Sequence, residues 1–106
     1  MTRYHELEVR ELPYTLSFLR LRDYRTWKSE FDSPEAAAWR KESGQGSFWI
    51  FRAQEDPNEI ALLIKWRDLG RARAHLDSPE LAARHRRLLS APAETRFLEL
   101  LDSGVV

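Results

Sequence analysis

Apolar positions recur along this chain with two different periods, and the changes from one to the other mark out its elements. Over residues 1–12 the alternation is weak, Leu7 and Val9 against Glu6 and Glu8, and predicts an edge strand or an ordered arm. After Pro13, residues 14–21 (YTLSFLRL) are apolar, aromatic and long enough for a strand. Tyr24, Trp27 and Phe31 follow at spacings of three and four, which is one helix face. Asp23 stands where its carboxylate can accept the free amides of that helix's first turn. Ser33-Pro34-Glu35 restarts the helix: serine caps, proline fits the first turn, and glutamate favours the positive end. This second piece runs to about residue 43, where Gly44 and Gly46 end it. Residues 48–52 (FWIFR) and 59–66 (EIALLIKW) read as strands separated by the turn composition Glu55-Asp56-Pro57-Asn58. Asp68 and Ser78-Pro79-Glu80 open two more helical pieces, Ala91-Pro92-Ala93 breaks the second, and residues 95–101 (TRFLELL) form a last strand. The order is βαββαβ, which predicts an α+β, ferredoxin-like domain with an antiparallel sheet over residues 13–102, and a loose tail at 103–106.

An internal repeat supports that architecture. Arg22-Asp23 recurs as Arg67-Asp68, Asp32-Ser33-Pro34-Glu35 as Asp77-Ser78-Pro79-Glu80, and Ala37-Ala38 as Ala82-Ala83, all at one spacing of 45 residues. Either both helical pieces need the same caps, or the fold is a pseudo-twofold pair of βαβ halves. The repeat also matches strand faces. Two helical layers can cover only one face of a sheet, and alternation places Leu19, Leu21, Ile60, Leu62, Ile64 and Trp66 on it. Leu16, Phe18, Arg20, Ala61, Leu63 and Lys65 then occupy the other face, which is too apolar to stand in water. That face is expected to pack on a second subunit's sheet, to close around a ligand, or both. Trp27 and Trp66 are expected between helices and sheet as structural residues.

Composition narrows the classes of function. The chain has 106 residues, with 17 Lys plus Arg against 17 Asp plus Glu. A zero net charge argues against a nucleic-acid binder with a broad basic field and against a polybasic membrane anchor. Without cysteine there is no disulfide, thiolate metal site or cysteine nucleophile. No apolar run approaches the ~20 residues of a membrane span, and the acidic start lacks the apolar region of a signal peptide. A cytoplasmic location is expected. Four tryptophans and five phenylalanines exceed what one small core needs, as a dimer interface or a ligand pocket would explain.

The stretches LRDYRTWKSEF, FRAQEDPNEIALLIKW and RARAHLDSPEL resemble the dimeric α+β barrel superfamily of antibiotic-biosynthesis monooxygenases and the small cyclase-like proteins grouped with them. The landmarks are Asp23-Tyr24 with Trp27, Arg52 followed by Asp56-Pro57-Asn58, Trp66, and Ala74-His75-Leu76 with Ser78-Pro79, spread over residues 14–101. The resemblance implies a homodimer whose two sheets face each other, with an apolar pocket in each subunit. It implies cyclases, cofactor-free oxygenases of polycyclic phenols, haem-degrading oxygenases or plain ligand binders, and the fold does not choose among them. The haem-degrading branch needs an asparagine on the first strand, which LSFLRLR lacks, and has tryptophan where His75 stands. His85 lies in the basic stretch ARHRR and is expected on a solvated helix face.

His75 is the first candidate for chemistry, as a proton shuttle that needs no metal or as a histidine that ties helix to sheet. Arg20 and Lys65, equivalent by the repeat, are the second: cations on the pocket face, stabilising an enolate, phenolate or carboxylate, or else paired across the dimer with Glu59 or Glu99. Tyr14, Leu16, Phe18, Trp49, Phe51 and Leu63 are the expected substrate-binding wall. No Gly-rich phosphate loop, metal-spaced histidine cluster, GxSxG elbow or flavin or nicotinamide motif occurs, so no cofactor or metal is expected. The leading expectation is a cofactor-free cyclase of polyketide-like natural-product biosynthesis, binding an apolar enolisable substrate in a pocket between sheet and helices. Beside it stand a cofactor-independent monooxygenase of a phenolic polycycle and a non-catalytic ligand-binding dimer.

Overall fold

The computed structural model describes residues 13–106, so the arm expected over residues 1–12 lies outside the described residues. Four strands and four helices alternate as β1 (Tyr14–Arg20), α1 (Tyr24–Phe31), α2 (Pro34–Glu42), β2 (Gln45–Arg52), β3 (Glu59–Trp66), α3 (Leu69–Leu76), α4 (Pro79–Leu88) and β4 (Glu94–Leu98). The strands form one antiparallel sheet in the order β2-β3-β1-β4. This is the expected ferredoxin-like α+β arrangement.

The repeated capping residues make the same bond four times. Asp23 Oδ2 accepts from the Thr26 amide at 3.0 Å, and Asp68 Oδ1 accepts from the Arg71 amide at 2.8 Å. Ser33 and Ser78 hydroxyl oxygens each accept, at 3.2 Å, from the amide three residues on, at Ala36 and Leu81. Each cap satisfies an amide that the helix itself leaves free. The repeat is therefore a duplication of backbone, a βαα unit used twice.

Side chains alternate across the sheet as the pattern requires. Leu19, Leu21, Ile60, Leu62, Ile64 and Trp66 are buried under the helices and form the core with Trp27, Phe31, Ala72, Leu88 and Leu89. Trp66 is 1 % exposed, and its indole N–H donates to Thr15 Oγ1 at 2.8 Å, tying β3 to β1 inside the core. Both Trp27 and Trp66 thus lie between helices and sheet.

Two boundaries differ from expectation. Gly44 ends α2 with a φ of 90°, but Gly46 ends nothing: it lies within β2, which starts at Gln45. The register shifts between Gln45 and Phe48, so Gly46 sits in an irregularity where a Cβ would approach the Lys65 carbonyl oxygen to 3.1 Å. At the other end β4 stops at Leu98, and residues 99–106 are irregular and exposed. No helix among the described residues is long and apolar enough to cross a membrane.

Candidate functional site

Between the sheet's covered face and the four helices is a cavity of about 80 Å³. Its floor is Ser17, Leu19, Leu62, Ile64 and Trp66 from the central strands, with Gln45 from the start of β2. From α1 come Trp27, Glu30 and Phe31, and from α2 Ala36, Trp39 and Arg40. From α3 come His75 and Leu76, and from α4 Leu81, Arg84, His85 and Leu88. The walls are aromatic and aliphatic with a few polar groups at defined places, the composition of a small-molecule site.

His75 is the most perturbed of those groups. The turn spacing of α3 that buries Ala72 also buries His75, three residues on, at 7 % exposed. Its ring lies between two indoles, with centroid distances of 4.5 Å to Trp39 and 5.3 Å to Trp66. Its Nε2 is 3.4 Å from Gln45 Nε2, while its Nδ1 is buried without a hydrogen-bond partner. With the Gln45 amide nitrogen as donor, His75 Nε2 is the acceptor and the ring proton is on Nδ1. Burial, and after it the positive charges of His85, Arg40 and Arg84, push the His75 pKa down to about 4; Glu80 pulls weakly the other way. The imidazole is therefore neutral at pH 7, with its lone pair on Nε2 directed to the Gln45 amide. Burial also lowers the pKa of His85.

The remaining polar groups floor and roof the space. Ser17 Oγ lies 2.8 Å from Thr95 Oγ1, a link between β1 and β4 under the cavity. Arg40 lies over Phe31, its guanidinium carbon 3.7 Å from the ring centroid, and Arg84 lies over Trp39 at 4.6 Å.

His75 lines this cavity, as a candidate for chemistry must, but the trio expected with it does not assemble. Arg20 and Lys65 point to the other face of the sheet. They are also far from each other: Arg20 pairs with Glu59 and Tyr14 with Lys65, so six residue steps, roughly 20 Å, separate them along the antiparallel pair. The repeat does make them equivalent, but a pseudo-twofold axis puts equivalents at opposite ends of antiparallel strands. Tyr14, Leu16, Phe18, Trp49, Phe51 and Leu63 lie on that outer face as well, since Trp49 pairs with Leu63 and Phe51 with Ala61. They wall no common space with His75.

Trp39, Arg40, Gln45, Arg84, His85, Ser17 and Glu30 were not anticipated as site residues. His85 is half-buried against the cavity instead of standing on a solvated face, because α4 turns its position 85 inward with Leu81 and Leu88. A signal existed: at the repeat spacing His75 corresponds to Glu30 and His85 to Arg40, so the same two helical positions face inward in both halves.

No protein-family model and no curated protein sequence matches the chain. Solved structures do match it in fold. SnoaB, a cofactor-independent oxygenase from Streptomyces nogalater, superposes with a TM-score of 0.65 at 18 % identity, over 88 % of this chain and 95 % of that one. A protein of unknown function from Nitrosomonas europaea gives 0.63 at 19 %, over 92 % and 97 %. An antibiotic-biosynthesis-monooxygenase-like protein from the same organism gives 0.60 at 16 %, over 85 % and 99 %. The chain shares the α+β fold of these structures.

Proposed function

We propose that this chain is a cofactor-free enzyme that removes a proton from a flat phenolic or enolisable aromatic substrate and lets the resulting anion react with molecular oxygen. The observation that carries the reading is the neutral, buried His75 ring set between Trp39 and Trp66 in an aromatic-walled cavity. A ring substrate stacks on the indoles, and His75 Nε2 takes its proton as the Gln45 amide yields. The dry walls keep water from the delocalised anion. The anion gives one electron to O₂ and the two radicals combine as a hydroperoxide. Loss of water then leaves a carbonyl, so that one CH₂ and one O₂ become one C=O and one H₂O. The narrow cavity favours a preformed ring over a chain that must be folded, and the likeness to a cofactor-independent oxygenase supports the same direction.

The outer sheet face, where Phe18, Trp49 and Phe51 are 45 %, 42 % and 55 % exposed, is on this reading the surface that pairs two copies of the chain. The test of the chemistry uses a phenolic anthrone such as dithranol, with an oxygen electrode and quinone absorbance read together. Equimolar oxygen uptake and quinone formation, lowered at least ~10-fold in His75→Ala (~1.4 kcal/mol of barrier), is the expected result. Turnover that proceeds equally without oxygen would replace oxygenation by cyclisation. Full activity in His75→Ala would remove the base.

A further inference from the structure

The mouth of the cavity is more basic than its own ion pairs require. Arg87 holds both carboxylate oxygens of Glu30, at 2.6 and 3.0 Å, and Arg84 Nη1 reaches the same carboxylate at 3.3 Å. Glu30 is thus shared between two guanidiniums. Arg40 makes no ion pair within 4.0 Å among the described residues; its recorded partner is the Phe31 carbonyl oxygen, at 2.6 Å. The carboxylate that acts on Arg40 is that of Asp32, which is itself tied to Lys28. Three guanidiniums against one carboxylate leave an excess of two positive charges at the mouth. The Arg40 and Arg84 guanidiniums lie over aromatic rings that wall the cavity, and both residues line it.

A guanidinium partly out of water with most of its five donors unused is a site for a planar anion, which can take two of them at once. We infer that the ligand of this cavity carries a carboxylate on the edge of its flat ring, seated between Arg40 and Arg84, with Glu30 as the group it displaces from Arg84. The inference rests on the cavity being the binding site. It also bears on the base. The groups that act on His75 are the two indoles and Gln45 in contact with it, the positive charges of His85, Arg40 and Arg84, and the opposing charge of Glu80. A carboxylate between Arg40 and Arg84 brings one negative charge against two of those positive ones. Ligand binding therefore makes His75 a stronger base at the moment a proton has to move.

Calorimetric titration with two probes on one ring skeleton, 3-hydroxy-2-naphthoate and 2-naphthol, tests this. The carboxylate probe is expected to bind at least ~10-fold tighter to the unaltered protein, with an advantage that shrinks at high salt. Arg40→Met and Arg84→Met, which keep apolar side chains over Phe31 and Trp39, should remove the advantage of the carboxylate probe over 2-naphthol. Glu30→Gln should strengthen the carboxylate probe alone. Equal binding of the two probes, or a preference insensitive to salt, overturns the inference while leaving the cavity as the site. The salt arm needs no variant to fold. Binding of neither probe overturns the cavity reading and the inference together.

Discussion

Lowering the pH from 7.5 to 5 should take more stability from this protein than from its His75→Leu variant. In the folded chain the His75 pKa is pushed down to about 4, from 6.5 for a free imidazole. The unfolded chain therefore binds the proton first, and stability is complete above pH 6.5 and drains away as pH falls toward 4. Two and a half units at 1.36 kcal/mol each set a ceiling of roughly 3 kcal/mol. By pH 5 about 2 kcal/mol of it is gone. That pH is chosen because Asp23 and Glu30, whose hydrogen bonds hold their carboxyls below the usual range, are still ionised there. His85, lowered by burial, drains stability in the same direction in both proteins and cancels in the difference. Urea denaturation at the two pH values reads the effect directly. The variant's stability at pH 7.5 does not matter; only the change between the two pH values does. If wild type and His75→Leu lose the same amount, the histidine is hydrated in solution, and its neutrality in an apolar cavity, on which the chemistry depends, is wrong.

Thr15→Val keeps the shape of a fully buried residue but removes the acceptor for the Trp66 indole, and should cost ~1–3 kcal/mol in denaturant. A loss of a few tenths would mean that water or another group satisfies that N–H. Light scattering should give twice the 12.5 kDa chain mass, falling to the single mass in Phe51→Glu; a monomeric wild type would leave the outer face without its proposed partner. Gly44→Ala should destabilise by about 1 kcal/mol or more, because φ is 90° there and a Cβ would come within 2.6 Å of Arg71 Cδ. An unchanged melting temperature would mean that α2 can end another way.

Most of the fold was legible because its signals are local. Caps at Asp23, Ser33, Asp68 and Ser78 fix helix starts by bonds to residues three positions away, and the period-two runs in β1 and β3 fix which face is covered. Gly46 was misread because a glycine in sequence looks the same whether it ends a helix or lets a strand shift register against Lys65. The site was less legible because its location depends on a long-range fact: the cavity opens on the covered face, where four short helices leave space above the sheet. Arg20 and Lys65 were natural candidates on an apolar face, yet alternation that buries Leu19 and Ile64 sends them away from His75. Arg40 and Arg84 carry no mark in the sequence; what distinguishes them is the Phe31 and Trp39 rings they lie over.

The duplicated βαα unit has a consequence for the reaction's direction. A cavity enclosed by two like halves starts out even-handed: Leu19 corresponds to Ile64, Phe31 to Leu76 and Ala36 to Leu81, apolar for apolar. Any distinction between one end of a bound molecule and the other must come from positions where the halves have drifted apart. Among the lining residues those positions are Ser17 corresponding to Leu62, Glu30 to His75, Trp39 to Arg84, and Arg40 to His85. The shared backbone provides an enclosure with no preferred sense, and four mismatched pairs give it a polarity.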